Sequence, residues 1–487
     1  MITGRESTRT VPIAVESSRK GTRGNLKLER AMERKAAMQN LKRQVRGEVL
    51  LPSDLGYDEA RRTFNAMIDR RPAVIVRCAA TSDVVAAVQY AHAQDLPVAI
   101  RGGGHSVSGS SVCDAGMMLD MSRMKGIHVD PSTRIANAQP GLTLGDFDQA
   151  TTARGLVTTM GVVSKTGIAG LTLGGGLGWL MGKHGLACDN LVAAEVVTAE
   201  GRILRASAEE NADLLWGLRG GGGNFGIVTQ FEYRLHTLEP MIGGLLIYPL
   251  SQAKEVLRFY REITLHIPDE LIAYSALLNG PDGNPVCALA VAYGGDPAKG
   301  EKVLAPIRAF GPPLADMVGP VPYLQQQSMM DATYPSGQFH YWKSGFMNTI
   351  PDQAIDAMIE QFNRRPSPLT QIFFEHMHGA ASRVPATETA FAHRFDHYNF
   401  SAFCIWADRK ETDVNLKWVE EFWQAVRPYL SGRAYVNYLG EEGAGRVREA
   451  YGPNYERLAA LKNKYDPTNF FRFNQNVQPS AKKAAGN

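Results

Sequence analysis

An α+β fold with more than one core is what this chain predicts, and three observations carry the expectation. Its 487 residues exceed the roughly 250–300 at which a single hydrophobic core stops growing. Glycine divides the chain: 25 of its 48 glycines fall between Arg101 and Gly226, about twice an even share, and such a surplus signals backbone held close to a ligand. From about Met241 to Gly432 glycine is normal, and strand-like runs alternate with helical ones. That stretch reads as an antiparallel sheet with helices on one face.

Taken in order, the elements start with a helix over about Leu26 to Arg46, inside a basic leader. The first clear strand is AVIVRC, Ala73 to Cys78. A helix follows, with N-cap signals in Thr81, Ser82 and Asp83 and an apolar face of Val84, Val85, Val88 and Ala91. PVAIRGGGHS is a short strand that runs into glycines. MMLDMSRM, GIHVD and IANAQPG are further strands, broken by Asp-Pro and Pro-Gly turns. Leu142 to Gly155 reads as a helix with Gly155 past its end. NLVAAEVVTAEGRIL is a strand, a turn at Glu200-Gly201 and a second strand. In the later stretch LLIYPL, PVCALAVAY, LTQIFFEHMHG and SAFCIWAD are the strands. SQAKEVLRFYREIT and TDVNLKWVEEFWQAVRPYL are the helices. A polar stub ends the chain.

Composition narrows the function classes. A hydrophobic share of 44% argues against disorder, and no apolar run is long enough to span a bilayer. Met1 to Glu48 carries 12 Lys/Arg against 5 Asp/Glu, but without aromatic residues to stack on bases it reads as a solvated leader rather than a nucleic-acid arm. No apolar segment follows Arg19 and Lys20, so no secretory signal is read and a cytoplasmic location is expected. Cys78, Cys113, Cys188, Cys287 and Cys404 form neither a CxxC pair nor an even set. No metal and no disulfide framework are therefore expected. A monomer or homodimer is expected, with no membrane partner and nucleic acid not expected.

Three glycine runs carry the chemistry: RGGGHS, GIAGLTLGGGLGWL and GLRGGGGNFG. Each uncovers backbone amides that can cradle phosphate. Neither of the first two has Rossmann spacing, and no Gly-Lys-Ser/Thr follows as a P-loop requires. The residues alone therefore indicate a dinucleotide-like cofactor held in neither of those ways.

The order of RGGGHSVSGSS, PGLTLGDFD, GIAGLTLGGGLGWL, HGLACDN and WGLRGGGGNFGIVT resembles PCMH-type FAD-binding domains of the vanillyl-alcohol oxidase superfamily. With AYVNY and NYERLAALKNKYDPTNFFRFNQNV near the C-terminus, the chain is similar to the berberine bridge enzyme-like FAD-linked oxidases. The resemblance implies a basic leader over 1–48, an FAD-binding domain of two α+β subdomains over 49–240, a substrate domain over 241–432, and a segment over 433–487 that returns to the FAD-binding domain. It also implies covalent FAD on His105. The remaining cofactor residues are implied as Arg101, Gly102, Gly103, Gly104, Ser106, Gly109, Ser111, Pro140, Gly141, Thr166, Gly167, Gly170, Leu173, Gly175, Gly178, Asp189, Asn190, Gly226, Val228, Tyr435, Asn437, Asn474 and Asn476. Relatives with a second, thioether link have a cysteine where this chain has Val163, so attachment through His105 only is expected, as in the 6-hydroxy-D-nicotine oxidase type. Thr166 lies where relatives govern dioxygen access.

For the reaction, the resemblance implies hydride transfer from an alcohol, amine or natural-product intermediate of secondary metabolism to FAD, with dioxygen reduced to hydrogen peroxide. A dehydrogenase or oxygenating enzyme is the alternative, and a non-catalytic flavin or nucleic-acid binder a more distant one. The catalytic residues are expected among Tyr438, His376 and His378. In an extended segment, Tyr438 would face away from Tyr435 and Asn437. Period two puts Phe374, His376 and His378 on one face, and the resemblance turns that face to the flavin, with Tyr398 and Phe400 as possible walls. The glutamate base of the berberine enzyme maps onto Asn399, which cannot accept the proton.

Overall fold

The computed structural model describes residues 32–480. The leader before residue 32 and the polar stub from 481 lie outside the described residues. Residues 32–44 are helical, within the span expected to be so. The chain from Val45 onward forms a second compact unit.

In that second unit the first sheet has four strands. Val74–Arg77 and Val98–Arg101 flank Met117–Asp120 in parallel, and Glu48–Leu50 joins antiparallel to the outside of Val74–Arg77. The helix Thr81–Ala93 connects the parallel strands and buries Val84, Ala87, Val88 and Ala91. Its start differs from the sequence reading. Ala80 is the N-cap, and no side chain caps it. The carboxylate of Asp83 instead accepts from the backbone N–H groups of Arg46, Gly47 and Ala79, which fixes the chain's entry into the sheet. Leu144–Thr152 carries the capping box in its place, with Thr143 and Asp146 exchanging side chain-to-backbone bonds.

A second, antiparallel sheet orders Ile127–Asp130, Ile135–Ala138, Ile227–Arg234, Leu191–Val197 and Ile203–Ala206. Gly201 turns the last pair at φ +76°, where a side chain would be strained. The core under this sheet is completed from the far end of the chain. Val447, Tyr451, Leu458, Leu461 and Val477 pack with Leu214, Phe225 and Phe231.

The third sheet is antiparallel and has eight strands. Its long members, in spatial order, are Met241–Pro249, Pro285–Gly294, Leu271–Asn279, Gln371–Met377, His397–Trp406 and Phe339–Met347. Two of these, Leu271–Asn279 and Phe339–Met347, are additions to the strands read from sequence. One face is covered by Ala253–Thr264, Asp352–Asn363 and Thr412–Val426, whose Leu257, Tyr260, Met358, Phe362, Val419 and Phe422 meet Ile372, Phe374 and Phe400. The opposite face presents Tyr274, Phe373, Met377, Phe403 and Trp342 to Val163, Leu177 and Tyr435. Because strand side chains alternate, the register of Gln371–Met377 decides which of its residues reach which face.

Candidate active site

Between the glycine loops and the inner face of the third sheet lies a cavity with about 1700 Å³ of empty space. That figure includes space open to solvent at the cavity's mouth. Gly102, Gly103, Gly104, His105, Ser106 and Ser111 line it from the loop after Val98–Arg101. Pro140, Val163, Thr166, Gly167, Gly170, Leu173, Gly226 and Val228 add further wall. Tyr435, Asn437, Tyr438 and Asn474 enter from the C-terminal part of the chain.

The glycines serve two purposes here. A Cβ on Gly170 or Gly223 would meet nothing within 4 Å, so these positions leave backbone open toward the cavity. A Cβ on Gly103, in contrast, would come within 2.5 Å of the backbone of Gly167. Gly103 and Gly167 thus let two loops touch each other, and the cradle depends on that contact as much as on the approach of a ligand. The Oγ of Ser111 and the Oδ1 of Asn474 are buried without a partner in the cavity wall. Unpaired buried acceptors and donors of this kind fit a polar cofactor such as FAD.

Several residues expected at the cofactor lie outside the wall. Arg101 sends its guanidinium to the carbonyl of Ala60. Gly109 turns at φ +72°, and its carbonyl accepts from Arg70. Gly141 and Gly178 pack on the carbonyls of Met121 and Met160, and Gly175 turns against Phe391 and Tyr435. Asp189 forms a buried ion pair with Arg394 and caps Leu186. The side chain of Asn190 is taken by His236 and the carbonyls of His184 and Leu186. Asn476 is not among the lining residues, and its Oδ1 is buried without a partner. Within these segments packing and turn geometry use many of the side chains.

His105 stacks on Phe64 with ring centroids 3.9 Å apart. Burial, reinforced by His340, pushes its imidazole down to about 3, so the ring is neutral near pH 7 and a nitrogen lone pair is free. Val163, where a second link would need sulfur, contributes an aliphatic wall.

The Tyr435–Tyr438 segment is not extended. Val436–Tyr438 forms one 3-10 turn, so Tyr435 and Tyr438 lie on the same side, ring centroids 4.9 Å apart. The Tyr435 hydroxyl accepts from Gly176 N–H and Asn437 Nδ2, and Asn437 also donates to the carbonyl of Leu171. Tyr438 donates to Oε1 of Glu375 at 3.2 Å, and Nδ2 of Asn399 donates to Oε2 at 2.6 Å. Glu375 and Asn399 are direct cross-strand partners. Burial lifts the Glu375 carboxyl to about 7 against these two stabilising bonds. Burial, then the charge of Glu375, holds the Tyr438 phenol well above its ordinary value.

Sequence reasoning missed Glu375. The period-two grouping of Phe374, His376 and His378 was sound, but that face points to the helices. Phe374 packs in the helix-side core. His376 lies against the tilted ring of Tyr398, whose hydroxyl bonds Thr264 of the covering helix, and His378 stacks on His376. Burial, with His378 and His397 adding to it, pushes His376 down to about 2, leaving it neutral. Phe400 and Tyr398 likewise belong to the helix side. The signal available was Glu375 itself, the one carboxylate in the strand Gln371–Met377, set between Phe374 and His376. Asn399, which cannot accept a proton, donates to this carboxylate on the neighbouring strand at 2.6 Å.

Residues 72–207 match a family model described as an FAD binding domain, and residues 434–478 match one described as berberine and berberine like. An FAD-linked oxidoreductase of Dictyostelium discoideum is 32% identical over 424 residues, 86% of this chain and 91% of that protein. The (R)-6-hydroxynicotine oxidase of Paenarthrobacter nicotinovorans is 29% identical over 459 residues, covering 89% of this chain and 97% of that one. The crystal structure of 6-hydroxy-D-nicotine oxidase from Arthrobacter nicotinovorans matches with a TM-score of 0.82 at 28% identity, over 89% of this chain and 98% of that chain. Among the described residues, no helix is long and apolar enough to cross a membrane.

Proposed function

The chain belongs to the berberine bridge enzyme-like family of FAD-linked oxidoreductases, and from that premise we propose that it is an oxidase whose substrate proton leaves through Tyr438 to Glu375. The observation that carries the reading is the Tyr438–Glu375–Asn399 array set against a glycine-lined cavity. FAD supplies hydride acceptance from the substrate carbon and onward reduction of dioxygen to hydrogen peroxide. The chain's own residues handle the proton. Tyr438 donates its hydroxyl hydrogen to Glu375, so its oxygen lone pairs face the cavity and accept from a substrate O–H or N–H. As that proton arrives, the tyrosyl hydrogen passes on to the carboxylate. A carboxyl near 7 is matched to this task at neutral pH, and Asn399 keeps it oriented. Tyr334, Trp342 and Phe403 hold the substrate beside Tyr438 and exclude water.

His105 is the residue assigned to covalent attachment. Its support is the neutral, nucleophilic imidazole at the cavity wall, together with the absence of sulfur at Val163. Peptide mass spectrometry of the purified protein is expected to find flavin on a single peptide, the one containing His105. Flavin released in full by acid precipitation would contradict it. For the activity, turnover with an accepted donor is expected to consume one dioxygen per peroxide formed. Oxidation that proceeds only with an artificial electron acceptor would overturn the oxidase reading in favour of a dehydrogenase.

A further inference from the structure

Residues 60–70 form a strap along the segment that carries His105. The carbonyl of Ala60 accepts from Arg101 at 2.6 Å, and the backbone N–H of Phe64 donates to Gly104 at 3.1 Å. Arg70 donates to the carbonyls of Gly109 and Val112 at 3.1 and 3.2 Å. At the centre, Asn65 uses both ends of its buried amide. Its Nδ2 donates to the carbonyls of Val107 and His340, each at 2.9 Å, and its Oδ1 accepts from the N–H groups of Met67 and His340, each at 3.0 Å. The same strap is tied to the third sheet. Gly337 donates to the Phe64 carbonyl at 3.0 Å and Ala66 to that of Gln338 at 2.8 Å, just before the strand Phe339–Met347. The buried ring of Phe64 stacks on His105 at 3.9 Å and 24°, and lies tilted against His340 at 4.2 Å. Among the described residues no hydrogen bond reaches either ring nitrogen of His105, so its contact with Phe64 is what fixes the plane of the imidazole.

We infer that Phe64 and Asn65 are positioning residues for flavin attachment, holding the His105 imidazole in the orientation from which it bonds the cofactor. This rests on the assignment of His105 as the attachment point and goes beyond it. Attachment joins a ring nitrogen of His105 to the 8α-methyl carbon of FAD, and one methyl C–H bond and one imidazole N–H bond are broken. Both protons and the released electron pair pass to dioxygen, which leaves as hydrogen peroxide. The attacking lone pair must point along the new bond, a condition that a freely turning ring meets only part of the time. Phe64 removes that freedom without engaging either nitrogen, whereas a hydrogen-bonding partner would occupy the lone pair or the N–H. The backbone needs the same help. His105 follows Gly102, Gly103 and Gly104, a run with little stiffness of its own. Asn65 supplies it from outside, because a buried amide with every bond made holds the segments it joins in one arrangement. Its partners are the loop after His105 and the backbone of His340, whose ring also touches Phe64.

The test follows the covalent bond itself rather than turnover. Full-length apoprotein from a riboflavin-starved host is mixed with FAD in air, and samples are denatured at intervals. Flavin fluorescence kept by the denatured chain on a gel measures attachment, and absorbance before denaturation measures total flavin bound. F64L is expected to bind FAD to the wild-type stoichiometry but to attach it at least about tenfold more slowly per bound flavin, a loss typical of misorientation. F64Y keeps the flat ring and is expected to attach at the wild-type rate. N65A is expected to be slowed in the same sense as F64L. Wild-type rates in F64L and N65A, or F64Y as slow as F64L, would overturn the inference. So would attachment that falls only in proportion to the FAD bound, the mark of a merely structural role. Failure of the underlying assignment looks different: the wild-type chain itself would keep no flavin on denaturation, and the inference would go with it.

Discussion

Replacing Glu375 by Gln is expected to lower kcat by about 10²–10⁴-fold, the range that a positioned proton acceptor contributes. The substitution keeps the shape and leaves an oxygen to accept from Asn399 or Tyr438, so the cavity is retained. The pH profile identifies the cause. In the wild type, kcat/KM should fall as pH drops below about 7, because the acceptor is then already protonated. That limb should vanish in the variant. Stability should move the other way. Burial lifts the folded-state value from 4.5 to about 7, so the stabilising effect of the neutral acid is fully present below 4.5 and is lost as pH rises through 7. Above pH 7 the ionised carboxylate costs about 3 kcal/mol, the free-energy equivalent of that displacement. Gln incurs no such cost, and E375Q should melt higher than the wild type at pH 8, with the advantage shrinking toward pH 5. Wild-type kcat in E375Q would remove Glu375 from the reaction. A lost activity accompanied by a lowered Tm at pH 8 would mark it as structural.

What the sequence revealed and what it hid follow from periodicity and contact distance. The glycine motifs were legible and fall on loops that line the cavity, because open backbone constrains residue type locally, as at Gly170 and Gly223. Strands such as Pro285–Gly294 and His397–Trp406 were readable as apolar runs. The face of Gln371–Met377 was not, since both of its sides are buried and alternation separates the two sides without saying which is which. One register choice exchanges Glu375 for His376 at the cavity, and only cross-strand pairing with Asn399 and contact with Tyr438, 63 residues away, decide it. The Tyr435–Tyr438 turn is a similar case. Extended backbone would have separated two tyrosines that a 3-10 turn brings together.

Lys462 gives the second large expected effect, and it lies well away from the reacting groups. It is fully buried, and its three ammonium hydrogens go to the carbonyls of Asn224 and Phe471, each at 2.8 Å, and to Asp466 at 2.6 Å. Asp466 in turn accepts from the backbone N–H groups of Phe470 and Phe471. Asn224 sits in the glycine loop whose Gly222, Gly223 and Gly226 line the cavity, and Phe471 precedes Phe473, Asn474 and Gln475, which line it too. One side chain therefore ties the two segments that close the cofactor end. Burial pulls the Lys462 ammonium below its ordinary value, with Asp466 opposing that pull. K462M matches the length but leaves Asp466 buried and unpaired, a change that costs about 3–5 kcal/mol. In a chain of this length that is a fall of about 3–5 °C in Tm. Flavin occupancy of the purified variant should fall with it, because the loop and the tail lose their common anchor. Adding D466N removes the unpaired charge, and the double variant K462M/D466N should recover part of both losses. Single and double variants that match the wild type in Tm and flavin content would show that the ion pair does not hold the cofactor end together.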